Sequence, residues 1–220
     1  MGTLVADRRE LAPLGTVRRV SDRCPWATST PDYLAYHDEE WGRPVTDDRG
    51  LYERLTLEAF QSGLSWLTIL RKRPAFRAAF ADFDAEAVAG FGEHDVARLM
   101  ADAGIVRNRA KIDAAIANAR ALAELHDAGE TLSALVWAAR PEPDPPAPVG
   151  VGDVPPFTDA SKRLAKELKS RGFRFLGPTT VYAAMQACGV VNDHLATCVV
   201  RDSVQAERDA VRAPTGPGRA

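Results

Sequence analysis

Two cysteines and two histidines, Cys24 and His37 near the start of the 220-residue chain and His194 and Cys198 near its end, form a full tetrahedral donor set for zinc. His194 and Cys198 are four apart, the spacing that puts two side chains on one face of a helix. Twelve residues intervene between Cys24 and His37, so a loop and a short helix must bring them together. That is not the close cysteine pair of a zinc finger. The set nevertheless takes two of three cysteines and two of four histidines. Four protein ligands leave no position for substrate, so such a site would be structural, a clip tying the first helix to the last. The same residues also read as two reduced core cysteines and two unrelated histidines, and spacing alone leaves both readings open.

A second group lies in the N-terminal third. Tyr33, Tyr36 and Trp41 flank His37, and Trp66 follows QSGLS. Glu58 stands in the otherwise largely apolar LTLEAFQSG, where a helix sets it beside Leu55 and Ser62. A carboxylate on an apolar face must be paired, protonated or functional. Aromatic faces beside it suit a flat, cationic guest through stacking and cation–π attraction. The competing reading makes the aromatics core and pairs Glu58 with an arginine. A third group, LKSRGFRFLGPTTVYAAMQACG, reads as helix, tight turn, helix. Gly172 and Gly177 bracket the turn, and Thr179 or Thr180 begins the second helix. Backbone N–H groups exposed there can hold an anion without reading a base, although an ordinary helical hairpin looks the same locally.

Length and composition bound what positions these groups. The chain can bury one sizeable core, and its 45% apolar and 26% charged residues are those of a soluble globular protein. No apolar run reaches membrane-span length and MGTLVADRRELAPLG lacks an apolar core, so neither a signal peptide nor an anchor is expected. An odd number of cysteines points to a reducing, cytoplasmic setting without a disulfide framework. The net charge of −2 does not advertise a nucleic-acid binder. Basic clusters at Lys162–Arg174, Arg107–Lys111 and Arg71–Arg77 still permit a one-sided basic surface for phosphates.

The pattern is helical almost throughout, and the expected fold is all-α. Asp47 or Asp48 caps a helix to about Ser62. Ser65 caps the next, which Pro74 ends. Asp84, Asn108, Thr131 and either Thr158 or Asp159 open further helices, and Asn192 opens the segment carrying His194 and Cys198. PEPDPPAPVGVGDVPP is an irregular surface connection. Residues 1–20 and 204–220 read as disordered tails around a single domain, 21–203. His94 and His126 read as solvated, and Cys188 as a buried apolar residue.

RCPWATSTPDYLAYHDEEWGRPVTDD, LTLEAFQSGLSW, AGIVRNRAKI, SRGFRFLG and MQACGVVNDH resemble the DNA-3-methyladenine glycosylase I, or Tag, family of base-excision repair enzymes. The likeness runs in order from about Arg23 to Cys198. It implies a helix–hairpin–helix glycosylase fold with a zinc clip on Cys24, His37, His194 and Cys198. It places the family's base-reading carboxylate at Glu58 and its pocket aromatics at Tyr36 and Trp66, with Tyr33 and Trp41 nearby. Ala59–Phe60 stand where some relatives carry Gly-Gln, a departure placed to alter the pocket wall.

The activity so implied is hydrolysis of the N-glycosidic bond of 3-methyladenine in alkylated double-stranded DNA, by a monomer. The methylated base is formally cationic, so its bond to the sugar is already weak. The protein must flip it out, hold it between rings and read its amino edge with Glu58. Gly63–Leu64 would probe the gap left in the duplex. Many relatives with this hairpin use an aspartate just beyond the second helix to stabilise the sugar cation. Asp193 lies close to that place, but beside His194 it is expected to support the metal site rather than catalysis. No lysine beside the pocket is set to form a Schiff base, so no lyase step is expected. The alternative is a zinc-stapled helical DNA-binding module without chemistry.

Overall fold

Short polar residues at the head of each apolar stripe start the helices, because a side-chain oxygen can take a backbone N–H left free in the first turn. The computed structural model describes residues 22–211. In it Asp47, Ser65, Asp84, Asn108, Thr131 and Thr158 all accept such bonds. The helices are α1 (Pro31–Glu39), α2 (Asp48–Gln61), α3 (Trp66–Ala79), α4 (Ala85–Ala89), α5 (Glu93–Ala101), α6 (Arg109–Asp127), α7 (Leu132–Trp137), α8 (Asp159–Ser170), α9 (Pro178–Ala187) and α10 (Arg201–Ala210). The fold is all-helical, with no strand among the described residues.

Helix α2 is the central element. Every residue from Leu51 to Phe60 is buried, and α3, α6, α7 and α9 pack around it. Phe60 joins Phe76 and Phe80 in an aromatic cluster, at 4.8 and 5.9 Å between ring centroids. Burying each such ring is worth roughly 1.5–3 kcal/mol. Phe60 therefore serves the core and not a pocket wall, which corrects the expectation for Ala59–Phe60. The C-terminal carbonyls of α2 are capped from α6: buried Lys111 donates to the carbonyls of Phe60 (2.9 Å) and Ser62 (2.6 Å).

Four further expectations need correction. Pro74 does not end α3, which continues to Ala79. The bond lost at proline is compensated by buried Ile69, Arg73 and Phe76 on the same helix and by Arg73 and Arg77 gripping Glu53 from α2. Residues 204–210 are no tail but most of α10. Its Arg208 is fully buried and donates to the carbonyls of Gly189 (2.6 Å) and Val190 (3.0 Å) and to Asp144 (2.8 Å) in the Pro-rich connection. His194 and Cys198 lie in irregular chain, not on a helix opened by Asn192. The Arg201 guanidinium takes the Asn192 and His194 carbonyls there, and the Cys198 N–H closes a turn onto the Leu195 carbonyl (2.8 Å). Lastly, α9 begins at Pro178, before the expected threonines, with Gly177 as its cap. Residues 1–20 and 212–220 of the expected tails, and residue 21 at the edge of the expected domain, lie outside the described residues.

Candidate active site and metal centre

The 3-10 turn Pro25–Thr28 and the last turns of α1 carry Cys24 and His37, and the irregular chain before α10 carries His194 and Cys198. Their donor atoms all lie within 4.8 Å of one another and all four side chains are buried. His194 Nδ1 is 3.1 Å from His37 Nε2 and 3.5 Å from Cys198 Sγ; Cys198 Sγ is 3.5 Å from His37 Nε2, and Cys24 Sγ is 3.8 Å from His194 Nδ1. Tetrahedral zinc with ordinary Zn–N and Zn–S bonds needs edges of about 3.3–3.8 Å, and of these four separations only the one of 3.1 Å falls short. The residues present fit such an ion.

The nitrogens facing away are also committed. His37 Nδ1 lies 2.8 Å from Asp38 Oδ1, and His194 Nε2 lies 3.0 Å from the Trp41 carbonyl. Both are the outer partners that fix a ligand's tautomer. Arg23 grips Asp38 in turn (2.9 and 2.7 Å). Partial burial pushes the Asp38 carboxyl up, but the Arg23 and His37 contacts outweigh it and hold it below the usual range. The neighbouring thiol is the main influence on each cysteine, holding Cys198 low and pushing Cys24 high; two sulfurs this close share one proton. Asp193 is not among these supports. Its carboxylate accepts from Tyr182 (2.6 Å) and Gln186 (2.7 Å) and faces elsewhere, which corrects the expectation for it.

Beside the cluster lies a cavity of about 490 Å³. Trp26, Tyr33, Tyr36, Trp41, Glu58 and Trp66 line it, with Gln61, Gln186 and Asp193 among the polar contributors. The sequence brings these together from both chain ends. Glu58 is 6% exposed and hydrogen-bonds to nothing among the described residues. Burial pushes its carboxyl up to about 8, while the Arg54 guanidinium one turn earlier on α2 pulls it down. Tyr36 leans on Trp66 at 5.4 Å between centroids, and its phenol is pushed well up by burial and by Glu58. The Trp66 indole N–H is buried without a partner.

Tyr33 and Trp41 line the cavity but are partly committed. The Tyr33 hydroxyl accepts the Leu67 N–H (2.9 Å), fixing the start of α3, and Trp41 lies edge-on to His194 at 4.6 Å. Trp26 was not singled out by the sequence reasoning. It meets Trp41 (5.1 Å), His37 (5.3 Å) and Tyr33 (5.7 Å), joining the cavity wall to the metal cluster. The available signal was its place in RCPW, two residues after a ligand cysteine.

The remaining expected residues do not line the cavity. Gly63 (φ +81°) and exposed Leu64 form the tight turn between α2 and α3; a side chain at 63 would meet no obstacle, so glycine answers the backbone alone. Gly172 (φ +89°) ends α8, where the Phe173 N–H reaches back to the Leu168 carbonyl (3.0 Å). Gly177 and Thr179 are exposed at the start of α9. His126, expected to be merely solvated, is exposed but paired with Asp48 (2.7 Å). Lys72 points to the carbonyls of Ala103 and Gly104 (2.8 and 3.1 Å), and no lysine lines the cavity.

Comparison with known proteins matches residues 26–202 to the methyladenine glycosylase family. DNA-3-methyladenine glycosylase 1 of Escherichia coli (strain K12) is 47% identical over 178 residues, covering 80% of this chain and 95% of the relative. A crystal structure of 3-methyladenine DNA glycosylase I superimposes with a TM-score of 0.77 at 46% identity, covering 80% of this chain and 98% of that one. The Staphylococcus aureus 3-methyladenine DNA glycosylase I, whose structure concerns 3-methyladenine recognition, gives the same TM-score at 37% identity, over 81% and 95% of the two chains. A shared helical framework and near-full-length likeness agree, and the chain belongs to the methyladenine glycosylase family.

Proposed function

We propose that this protein is a monofunctional DNA glycosylase that releases 3-methyladenine from alkylated double-stranded DNA. The observation that carries the reading is Glu58: a buried carboxyl with no hydrogen-bond partner, facing a cavity walled by Trp26, Tyr36 and Trp66. A flipped cationic base gains from ring faces and from a nearby negative charge, and pairing rewards the desolvated carboxylate as well. Neutral adenine gains less from both.

In the reaction, water adds its oxygen to C1′ of the deoxyribose. The electron pair of the C1′–N bond leaves with the base, which departs as neutral 3-methyladenine, and the water's surplus proton passes to solvent. Glu58 orients and reads the base. Trp26, Tyr36 and Trp66 stack on it, and Tyr33 and Trp41 brace the wall. Lys72 and Lys111 are both engaged by backbone carbonyls and no lysine is among the described residues that line the cavity, which supports a reaction without a Schiff base. We assign Gly63, Leu64, Gly172, Gly177 and Thr179 to the duplex, Leu64 as the probe of the gap and the α9 start as a phosphate contact.

Cys24, His37, His194 and Cys198 would hold one zinc ion, which supplies structure and no open coordination site. Cavity and ligand set are both complete within one chain, consistent with a monomer, and no described helix is long and apolar enough to cross a membrane. We place the protein in the cytoplasm with its DNA. The test is chromatographic release of free base from methylated duplex DNA. Wild type should release 3-methyladenine and Glu58→Ala should lose roughly two orders of magnitude in rate, about 3 kcal/mol. Equal release by both proteins would overturn the assignment of Glu58.

A further inference from the structure

A buried arginine stands one turn before Glu58 on α2. Arg54 is only 7% exposed. Its Nη2 donates to Glu40 Oε2 at 2.7 Å, and its Nη1 is buried without an acceptor. Residues four apart on a helix share a face, so Arg54 and Glu58 stand on one side of α2, with no direct ion pair between them. Glu40 does not depend on Arg54 alone, because Arg73 also reaches it at 2.6 Å. Arg54 itself lies outside the cavity lining, whereas Glu58 is part of it.

We propose that Arg54 tunes the charge of the pocket: anchored by Glu40 through one arm, it is the counter-ion that eases loss of the Glu58 proton when a cationic base arrives. This rests on the reading of Glu58 as the base-recognising group. Burial beside tryptophan and tyrosine rings makes that proton costly to lose, and a neutral acid offers a cation far less. A cation in the wall itself would repel the guest. One step behind the carboxylate, Arg54 favours ionisation while Glu58 stands between it and the base.

The other groups around the pair are accounted for. Tyr36 faces it from α1 and Cys188 from the end of α9, both held protonated by burial. Glu40 binds Arg54 from the end of α1, and Arg73 of α3 is shared between Glu40 and Glu53. Lys111 of α6 is spent on the last carbonyls of α2. Asp193, across the cavity, is engaged by Tyr182 and Gln186. Arg54 is thus a positioning residue, acting through Glu58.

The experiment has two arms on wild type, Arg54→Met and Arg54→Lys, with thermal melts confirming that each is folded. In the first, the Glu58 carboxyl is titrated by carbon NMR on glutamate-labelled protein, its signal assigned by loss in Glu58→Gln. Arg54→Met should titrate about one pH unit higher than wild type, and Arg54→Lys should return most of the way. In the second, the rising limb of kcat/KM for 3-methyladenine release should move by the same amount and in the same order. A Glu58 titration unchanged in folded Arg54→Met overturns the proposal. A titration that moves while base release does not follow upholds Arg54 and removes the reading of Glu58, so the two failures are distinct.

Discussion

At the scale of the residue, Glu58 opposes folding at neutral pH, and it does so because of its place on α2. An ordinary glutamate titrates near 4.5; burial in the fold pushes this carboxyl up to about 8. Its contribution to stability is fully present below 4.5 and is lost as pH rises through 8. Over that window the unfolded chain gives up this proton and the native chain keeps it. Glu58→Gln removes the titration. The stability of the variant relative to wild type should therefore grow between pH 5 and pH 8, by roughly 1.4 kcal/mol per pH unit at most. Denaturant melts at the two pH values check this, and a constant difference would contradict the burial argument. The need for a partner at Glu58 was legible in the sequence, since a lone acid in LTLEAFQSG is costly wherever that helix is buried. Arg54, immediately before that stretch, was passed over, because i to i+4 spacing cannot say whether an arginine faces solvent or its neighbour's carboxyl.

At the scale of the element, the turn between α2 and α3 is held from outside itself. Lys111 caps the end of α2, Ser65 caps α3, and the Tyr33 hydroxyl takes the next free N–H of α3 at Leu67. Leu64 is thereby presented on a fixed turn, 41% exposed, next in chain to the helix that supplies Trp66. If it fills the gap left by a flipped base, Leu64→Ala should slow release from duplex DNA by roughly tenfold while leaving single-stranded substrate unaffected. Identical loss on both substrates would assign it to folding instead. Helix starts were legible because a cap and its N–H lie within three residues. Helix ends and α10 were not. Pro74 sits inside α3 because contacts from α2 override its local cost, and RDSVQAERDA looks like tail because what α10 buries is a guanidinium and one valine. Arg208 finds its carboxylate at Asp144, in a segment whose composition announces only a loop.

At the scale of the molecule, the four-residue cluster joins the first turn of the described chain to its last loop, and the cavity shares a wall with it through Trp26 and Trp41. A closed Cys2His2 set predicts that removing zinc acts on stability first. Stripping the protein with a strong chelator should release one zinc per chain and lower the melting temperature. The pH dependence of base release by molecules still folded should stay as it was. A changed pH profile at unchanged melting temperature would instead make the metal part of the chemistry. The donor types were readable from the sequence, and so was the all-helical framework with most of its starting residues, because these depend on composition and on contacts a few residues long. Only the tertiary structure decided that Cys24 lies 3.8 Å from His194, that irregular chain and not a helix presents His194 and Cys198, and that Trp26 belongs to the cavity. Those facts depend on groups up to 170 residues apart, and their meeting is fixed by how α2 is buried among its neighbours rather than by any local preference of the chain.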